Sequence, residues 1–433
     1  MGVLTREGYI LKRAELTQED VQELTVTPKA FDPSEPSSPF EVFAELDDRT
    51  VAVPRYWAQD RFGRANEFIG SVHSASNLVF EGELKPGLQE EAARASIDKL
   101  GRDGGGVLCL PTGTGKTVIA LHIACTLKVK TLIIVHKRFL MDQWADRIAR
   151  FVPSARVGRL QRDNVEVEGC DLVVGMLQSI AMRQYGPEVF DGFGLVILDE
   201  VHVVPAPVFS RALFKICSPC MLGMSATPER RDGMSCVISW FVGPVFMNHQ
   251  LTGKAEVSVL VVPFQCDYKY AYGKAGMARI LTKLCESTER NNLLMNIIYD
   301  LVAGGRKVIL LSDRRSHCTA LMESLANNEV SCALYMGGMK EHELKESETK
   351  DVLLATYSMA KEGLDIPGLD AVVLANPRSE VVQACGRVLH GKSKNPVIVD
   401  VVDRWCVGDA QFRKRMAYYD RSGFTVTHHK LNF

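Results

Sequence analysis

At 433 residues, with 46% of them hydrophobic and 24% charged, the chain reads as a folded globular protein of two or three domains, not a disordered or fibrous one. Its 51 basic and 52 acidic side chains leave a formal net charge of -1, which excludes a globally basic surface. Any nucleic acid would have to be held in a local basic groove.

The elements are read in chain order. Residues 1–80 form a mixed N-terminal region with a Pro/Ser-rich loop, DPSEPSSP, at 32–39. FEVFAEL (40–46) reads as a strand, and VPRYWAQDRFG (53–63) is rich in aromatics and arginine. From 81 to 246, short apolar runs alternate with helical patterns: GVLCL (106–110), TLIIV (131–135), DLVVG (171–175), LVIL (195–198) and CMLGM (220–224), with helices at 115–127 and 139–151. Residues 247–289 are less regular and read as a linker. The alternation restarts over 290–433 with VILLS (308–312), SCALY (331–335), DVLLAT (351–356), AVVLA (371–375) and PVIVDVV (396–402). Helices are expected there around 290–303, 314–326 and 379–389, and a last one over 410–420. Continuous apolar strands alternating with helices predict parallel sheets buried on both faces, hence an α/β fold with two such domains.

No apolar run is long enough to cross a bilayer, and the first residues carry charges where a signal peptide needs an apolar stretch. Gly2 with Thr5 and Arg6 is a poor match to a myristoylation signal, so an intracellular place is expected. Twelve cysteines lie mostly inside apolar runs, as reduced thiols used for packing do. The one CxxC, Cys217 and Cys220, lacks a second ligand pair and is read as a loop without metal.

LPTGTGKT at 110–117 sits between a strand and a helix, where backbone N–H groups converge on an anion. Gly113, Thr114 and Gly115 would form the tight loop, Lys116 would pair with the β- and γ-phosphates of ATP, and Thr117 would ligate Mg²⁺. The generic phosphate-loop pattern begins with Gly, where this chain has Leu110; the plain alternative is a glycine-rich turn before an ordinary helix. LVILDEVH at 195–202 places two carboxylates at a strand's C-terminal edge, where open α/β sheets bind ligands. Asp199 would hold Mg²⁺ through its water shell, and Glu200 would orient or deprotonate the attacking water.

These motifs, with SATPERRDG (225–233) and QACGRVLH (383–390), resemble motifs I, II, III and VI of superfamily 2 helicases in order and spacing. VHKRFLMDQW (135–144), VILLSDRRSH (308–317) and ATYSMAKEGLDIPGLDAVVLANP (355–377) are similar to motifs Ia, IV and V. The resemblance spans about residues 84–402 and implies two tandem RecA-like domains behind the small mixed N-terminal domain. QW at 143–144 and SATPERRDG look most like the branch containing XPB, phage UvsW and the poxvirus transcript-release helicases. LTVTP (24–28), PRYW (54–57) and the tail 411–424 are similar to helicases of large cytoplasmic DNA viruses, which implies host cytoplasm or virion as the setting.

The resemblance further implies that Gln89 reads adenine, although Lys85 and Leu88 replace the expected arginine and aromatic before it. Ser225 and Thr227 would couple hydrolysis to the nucleic-acid groove through His202. Gly363 and Asp365 would approach the ribose, and Gln383 and Arg387 would complete the catalytic site, Arg387 by stabilising charge on the transferring phosphoryl group. The family's second arginine in motif VI is His390 here, with Arg378 or Lys392 as candidate substitutes.

Groove contacts are expected from loops at matching sheet edges: His136, Lys137, Arg138, Gln178 and Ser179 in the first domain, Arg314, Thr356 and Ser358 in the second. Such hydroxyls, amides and cations suit the phosphate backbone and give affinity without sequence choice. Arg230 and Arg231, after SATPE, read as groove contacts ahead of a solvated loop, whereas the tail cluster Arg413, Lys414 and Arg415, and Trp57, Arg61 and Arg64, read equally as nucleic-acid contacts or as packing. Duplex-DNA binding by residues 1–80 is an expectation from the UvsW resemblance. The expected activity is ATP-dependent helicase or translocase action, 3′-to-5′ on DNA, in transcription, repair or recombination. Two alternatives stand beside it: an RNA helicase acting on transcripts, and a weakly hydrolysing nucleotide-gated scaffold in a polymerase or repair complex.

Overall fold

The computed structural model describes residues 2–29, 38–111, 113–204, 208, 210–226, 232–249, 257–266, 273–361, 366, 368–378, 381 and 395–428. Two compact units divide the chain, Met1–Gln250 and Leu251–Phe433.

The first unit opens with β1 (Val3–Thr5), β2 (Gly8–Lys12), β3 (Thr25–Val26), β4 (Phe40–Glu41), β5 (Ala44–Glu45), β6 (Thr50–Val53) and β7 (Phe68–Ile69). FEVFAEL, expected as one strand, is two: β4 pairs with β3, whereas β5 joins a five-stranded sheet ordered β5-β6-β2-β1-β7. The run after Pro54 is a helix, Arg55–Phe62. The larger sheet follows, built from β8 (Gly105–Cys109), β9 (Thr131–Val135), β10 (Val157–Gln161), β11 (Asn164–Val165), β12 (Leu172–Met176), β13 (Leu195–Asp199), β14 (Cys220–Ser225) and β15 (Val245–Asn248). Its order is β11-β10-β12-β9-β13-β14-β8-β15, parallel throughout except for the β10–β11 hairpin.

Period-2 alternation sends successive side chains of each strand to opposite faces. Val107, Leu132, Ile134, Val173, Val196 and Leu198 enter one core; Leu108, Ile133, Val135, Leu172, Val174 and Ile197 enter the other. Both faces are therefore apolar, as the unbroken hydrophobic runs require. The first of these cores also contains Leu4, Tyr9, Leu11, Val51, Val53 and Trp57, so the N-terminal sheet shares its hydrophobic interior with the nucleotide-binding part. Each buried aliphatic side chain contributes about 1.5–3 kcal/mol. Stability thus resides at the sheet centres, which leaves the strand ends free to carry poorly paired polar groups.

The second unit contains β16 (Ser258–Gln265), β17 (Val308–Ser312), β18 (Cys332–Tyr335), β19 (Val352–Thr356), β20 (Ala371–Leu374), β21 (Val397–Arg404) and β22 (Thr425–His428). All pairs are parallel, in the order β18-β19-β17-β20-β21-β16-β22. The stretch read as linker supplies β16, which lies between β21 and β22, and the helix Gly273–Glu286. β16 escapes the sequence pattern because SVLVVPFQ carries Pro263 and has no helical pattern before it to mark a βα repeat. The final helix is longer than expected, Cys406–Arg421. Among the described residues no helix is long and apolar enough to cross a membrane.

Candidate nucleotide site and nucleic-acid edge

Register brings the motifs of the first unit to one edge. Ser225, the last residue of β14, pairs with Cys109 at the end of β8, and Asp199 at the end of β13 pairs with Met224. The phosphate loop, the carboxylate pair and Ser225 therefore emerge side by side at the sheet's C-terminal edge, the ligand-binding edge of such sheets.

Gly113 and Gly115 hold φ of 78° and 85°, the left-handed region that glycine enters without penalty. A Cβ at Gly115 would stand 2.5 Å from Gln89 Nε2, so the loop closes only around glycine there. Helix Lys116–Leu127 starts with Gly115 as its N-cap and has no side-chain cap, leaving its first N–H groups for an anion. The Lys116 ammonium donates to the carbonyls of Leu110 and Pro111 at 3.0 and 3.2 Å, folded over the loop. Gln89 is buried and spans the loop: its Nε2 donates to Thr114 O at 2.7 Å and its Oε1 accepts the Lys85 N–H at 2.8 Å. The Gln89 amide expected to read adenine is thus engaged by backbone in this structure.

Asp199 Oδ2 accepts the Trp144 indole N–H at 2.9 Å, and Oδ1 accepts the Glu200 backbone N–H at 3.1 Å. Desolvation, then the neighbouring Glu200 charge, push the Asp199 carboxyl above its ordinary range, against Trp144 and Lys116. Glu200 itself adopts a left-handed backbone, φ 50° and ψ 52°, rare for a non-glycine residue. Its Oε2 is buried without a hydrogen-bond partner, 3.4 Å from His202 Nδ1. His202 Nδ1 lies 3.0 Å from the Ser225 hydroxyl, which joins the expected coupling residues His202 and Ser225. A buried carboxylate oxygen lacking a donor, beside an uncapped helix start and a lysine, fits a site that takes a polyphosphate with its divalent cation. Thr117, the expected second holder of that cation, follows Lys116 in the first turn of the same helix.

The predicted nucleic-acid contacts separate. His136 and Gln178 follow β9 and β12 at the same edge, but Gln178 Nε2 donates to His136 O at 2.6 Å while its Oε1 is buried without a partner. Burial, with Lys137 and His202 nearby, pulls the His136 pKa down to about 4, so the ring is neutral near pH 7. Ser179 is buried, its hydroxyl accepting the Arg162 N–H at 3.0 Å. Arg138 is exposed and Lys137 half-buried. In the second unit, the Arg314 guanidinium donates to Ala278 O at 3.1 Å, and the Thr356 and Ser358 hydroxyls lie 2.8 Å apart at the end of β19.

Several cations with open readings turn out to be paired. Arg415 of the tail cluster is buried against Asp400. Arg61 pairs with Asp20 and Glu23 and stacks over Trp57, and Arg64 meets Asp103 at 2.6 Å. Arg378 pairs with Asp313 and covers the Tyr357 ring. Cys217 and Cys220 are free thiols, and no group of metal-ligating side chains occurs among the described residues. Thr227, Arg230, Arg231, Gly363, Asp365, Gln383, Arg387, His390 and Lys392 lie outside the described residues. Sequence reasoning gives Trp144 no role of its own, although the QW pair belongs to a motif. A lone indole in an amphipathic helix carries no signal of its partner.

Two family models match the chain: "Type III restriction enzyme, res subunit" over residues 85–230 and "Helicase conserved C-terminal domain" over 289–392. A protein of Acanthamoeba polyphaga mimivirus, named as an ATP-dependent RNA helicase, is 33% identical over 98% of this chain and 86% of that protein. A protein of Invertebrate iridescent virus 6, named as a helicase, is 26% identical over 90% of this chain and 92% of its own length. Among solved structures, S. cerevisiae Dbp5 bound to RNA and ADP BeF3 shares the fold, with a TM-score of 0.54, 14% identity, and coverage of 78% of this chain and 89% of that one. The chain belongs to the superfamily 2 helicases. It is an ATP-dependent, ATP-hydrolysing enzyme whose partner is nucleic acid, with viral helicases among its relatives and the two RecA-like domains that the motif order implied.

Proposed function

We propose that the chain moves 3′ to 5′ along DNA, hydrolysing ATP to separate or remodel strands in transcription, repair or recombination inside the infected host cell or virion. The observation that carries the hydrolytic half is the Glu200–His202–Ser225 cluster beside the phosphate loop. In this reading Lys116 pairs with the β- and γ-phosphates, and Glu200 orients the attacking water and takes its proton. Thr117 and Asp199 would hold Mg²⁺, which neutralises charge on the phosphate oxygens. Gly113, Thr114 and Gly115 wrap the phosphates, Gln89 braces the loop, and Gly363, Asp365, Gln383 and Arg387 contribute from the second domain. Lys137, Arg138, Thr356 and Ser358 would touch the phosphate backbone, with His136, Gln178, Ser179 and Arg314 fixing the loops that present them. His202, Ser225 and Thr227 would pass the state of the nucleotide to that groove.

The mimivirus relative's name favours a second reading, action on RNA. Steady-state ATP hydrolysis with single-stranded, duplex or forked DNA, or with RNA, separates the two. Stimulation by DNA above RNA supports the first reading; stimulation by RNA alone overturns it. Lys116→Ala should abolish hydrolysis while leaving the melting temperature unchanged, and retained turnover would remove the phosphate site assigned here.

A further inference from the structure

We propose that Trp144 is a positioning residue of the nucleotide site, holding the Asp199 carboxylate in the orientation that receives the divalent cation. The proposal rests on the reading of Asp199 as the magnesium carboxylate. Trp144 lies in helix Arg138–Phe151, on the apolar stripe with Met141 and Ile148, and is 2% exposed. Its Nε1–H donates to Asp199 Oδ2 at 2.9 Å, while the Glu200 backbone N–H takes Oδ1 at 3.1 Å. One donor on each oxygen fixes the carboxylate's rotation, and each oxygen keeps lone pairs for another partner.

A comparison within the molecule separates this contact from packing. Trp57 and Trp405 are also buried, yet their indole nitrogens have no hydrogen-bond partner. At those positions the ring packs, and at 57 also carries Arg61 over its face, but the N–H is not used. At 144 the same ring has its N–H aimed at a carboxylate 55 residues away in sequence, at the end of β13. Donors that orient a metal-binding carboxylate typically govern metal affinity by about 10- to 100-fold. Phenylalanine would occupy the apolar site but cannot donate.

The test is equilibrium binding of a fluorescent ADP analogue to the full chain, titrated with Mg²⁺ and repeated in EDTA. Trp144→Phe should raise the Mg²⁺ concentration needed for half-maximal strengthening of nucleotide binding by about 10-fold or more. Affinity in EDTA should stay at the wild-type value. β-(3-Benzothienyl)alanine introduced at position 144, which replaces the N–H by sulfur and keeps the ring's size, should shift Mg²⁺ dependence equally and keeps the comparison open if the Phe variant folds poorly. A wild-type Mg²⁺ requirement in both variants, or a parallel fall in EDTA affinity and melting temperature, overturns the proposal and reduces Trp144 to packing. If the wild type shows no Mg²⁺-dependent strengthening and Asp199→Asn binds as it does, the magnesium reading of Asp199 fails instead and takes the proposal with it.

Discussion

Two apolar strands, one in each unit, carry acidic residues with opposite fates. In β21, Asp400 and Asp403 are fully buried, and each is gripped by a buried arginine. Arg415 makes two hydrogen bonds to Asp400, both 2.8 Å, and the Tyr419 hydroxyl adds a third at 2.9 Å. Arg290 makes two to Asp403, at 2.7 and 2.9 Å. At the end of β13, Asp199 and Glu200 have no arginine partner among the described residues, and one Glu200 oxygen has no hydrogen bond at all. Burying a charge is tolerated only when a partner offsets the lost hydration. Where the chain supplies an arginine, the pair serves the fold; at β13 it supplies only neutral N–H donors to Asp199 and leaves one Glu200 oxygen bare, which is what the proposed cation and water would meet. The β21 acids are internal fastenings, and the β13 acids, in the function proposed above, form a receptor.

The sharpest way to break this contrast is Glu200→Gln. Loss of a general base typically costs about 10²- to 10⁴-fold in rate, so hydrolysis should fall by that range while the melting temperature holds or rises. A variant that unfolds instead would place Glu200 among the fastenings. Next in size is Arg290→Ala, which leaves Asp403 buried and unpaired and should weaken the second unit by about 3–5 kcal/mol in denaturant unfolding. An unchanged midpoint would show that the β21 pairs do not hold the fold.

The smallest effect sharpens the contrast with an intermediate case, Asp171 beside β12. Burial acts to raise its pKa, but hydrogen bonds from Arg156 and Asn77 outweigh that and hold it at about 2, below the ordinary 3.8. A carboxylate depressed on folding stabilises above its unfolded pKa and loses that contribution as pH falls through the folded one. The first unit should therefore lose melting temperature between about pH 4 and pH 2, and Asp171→Asn should flatten that slope. The size is modest because the Arg156 side chain is 64% exposed and its pairing is screened. An identical slope in the variant would assign the acid transition to other groups.

The sheets were legible because their strands are unbroken apolar runs; TLIIV and VILLS match β9 and β17 residue for residue. Strands β10, β15, β16 and β22 were not: β15 and β22 are edge strands, which need less continuous hydrophobicity, Arg159 and Gln161 interrupt β10, and β16 carries Pro263 with no helical pattern before it. The phosphate loop and the DEVH carboxylates were legible because phosphate chemistry demands fixed residue types at fixed spacing. Tertiary partners were not. Nothing local distinguishes Arg415, which is buried on Asp400, from its neighbours Arg413 and Lys414, nor tells that Ser179 is spent on the Arg162 backbone. Likewise, Gln89 is read from a motif as a base contact, while its bonds to Thr114 and Lys85 emerge only when the helix and loop meet.

The left-handed backbone at Glu200 has a consequence for anyone engineering this chain. That conformation costs an L-residue with a long side chain about 1–2 kcal/mol, and glycine escapes the penalty. Selection for heat resistance without an assay for turnover would drive position 200 toward glycine, relaxing the turn and deleting the carboxylate in one step. With Glu200 as the proposed base, the most durable sequence and the most active one diverge at this residue, and a library screened on survival alone would enrich for dead enzyme.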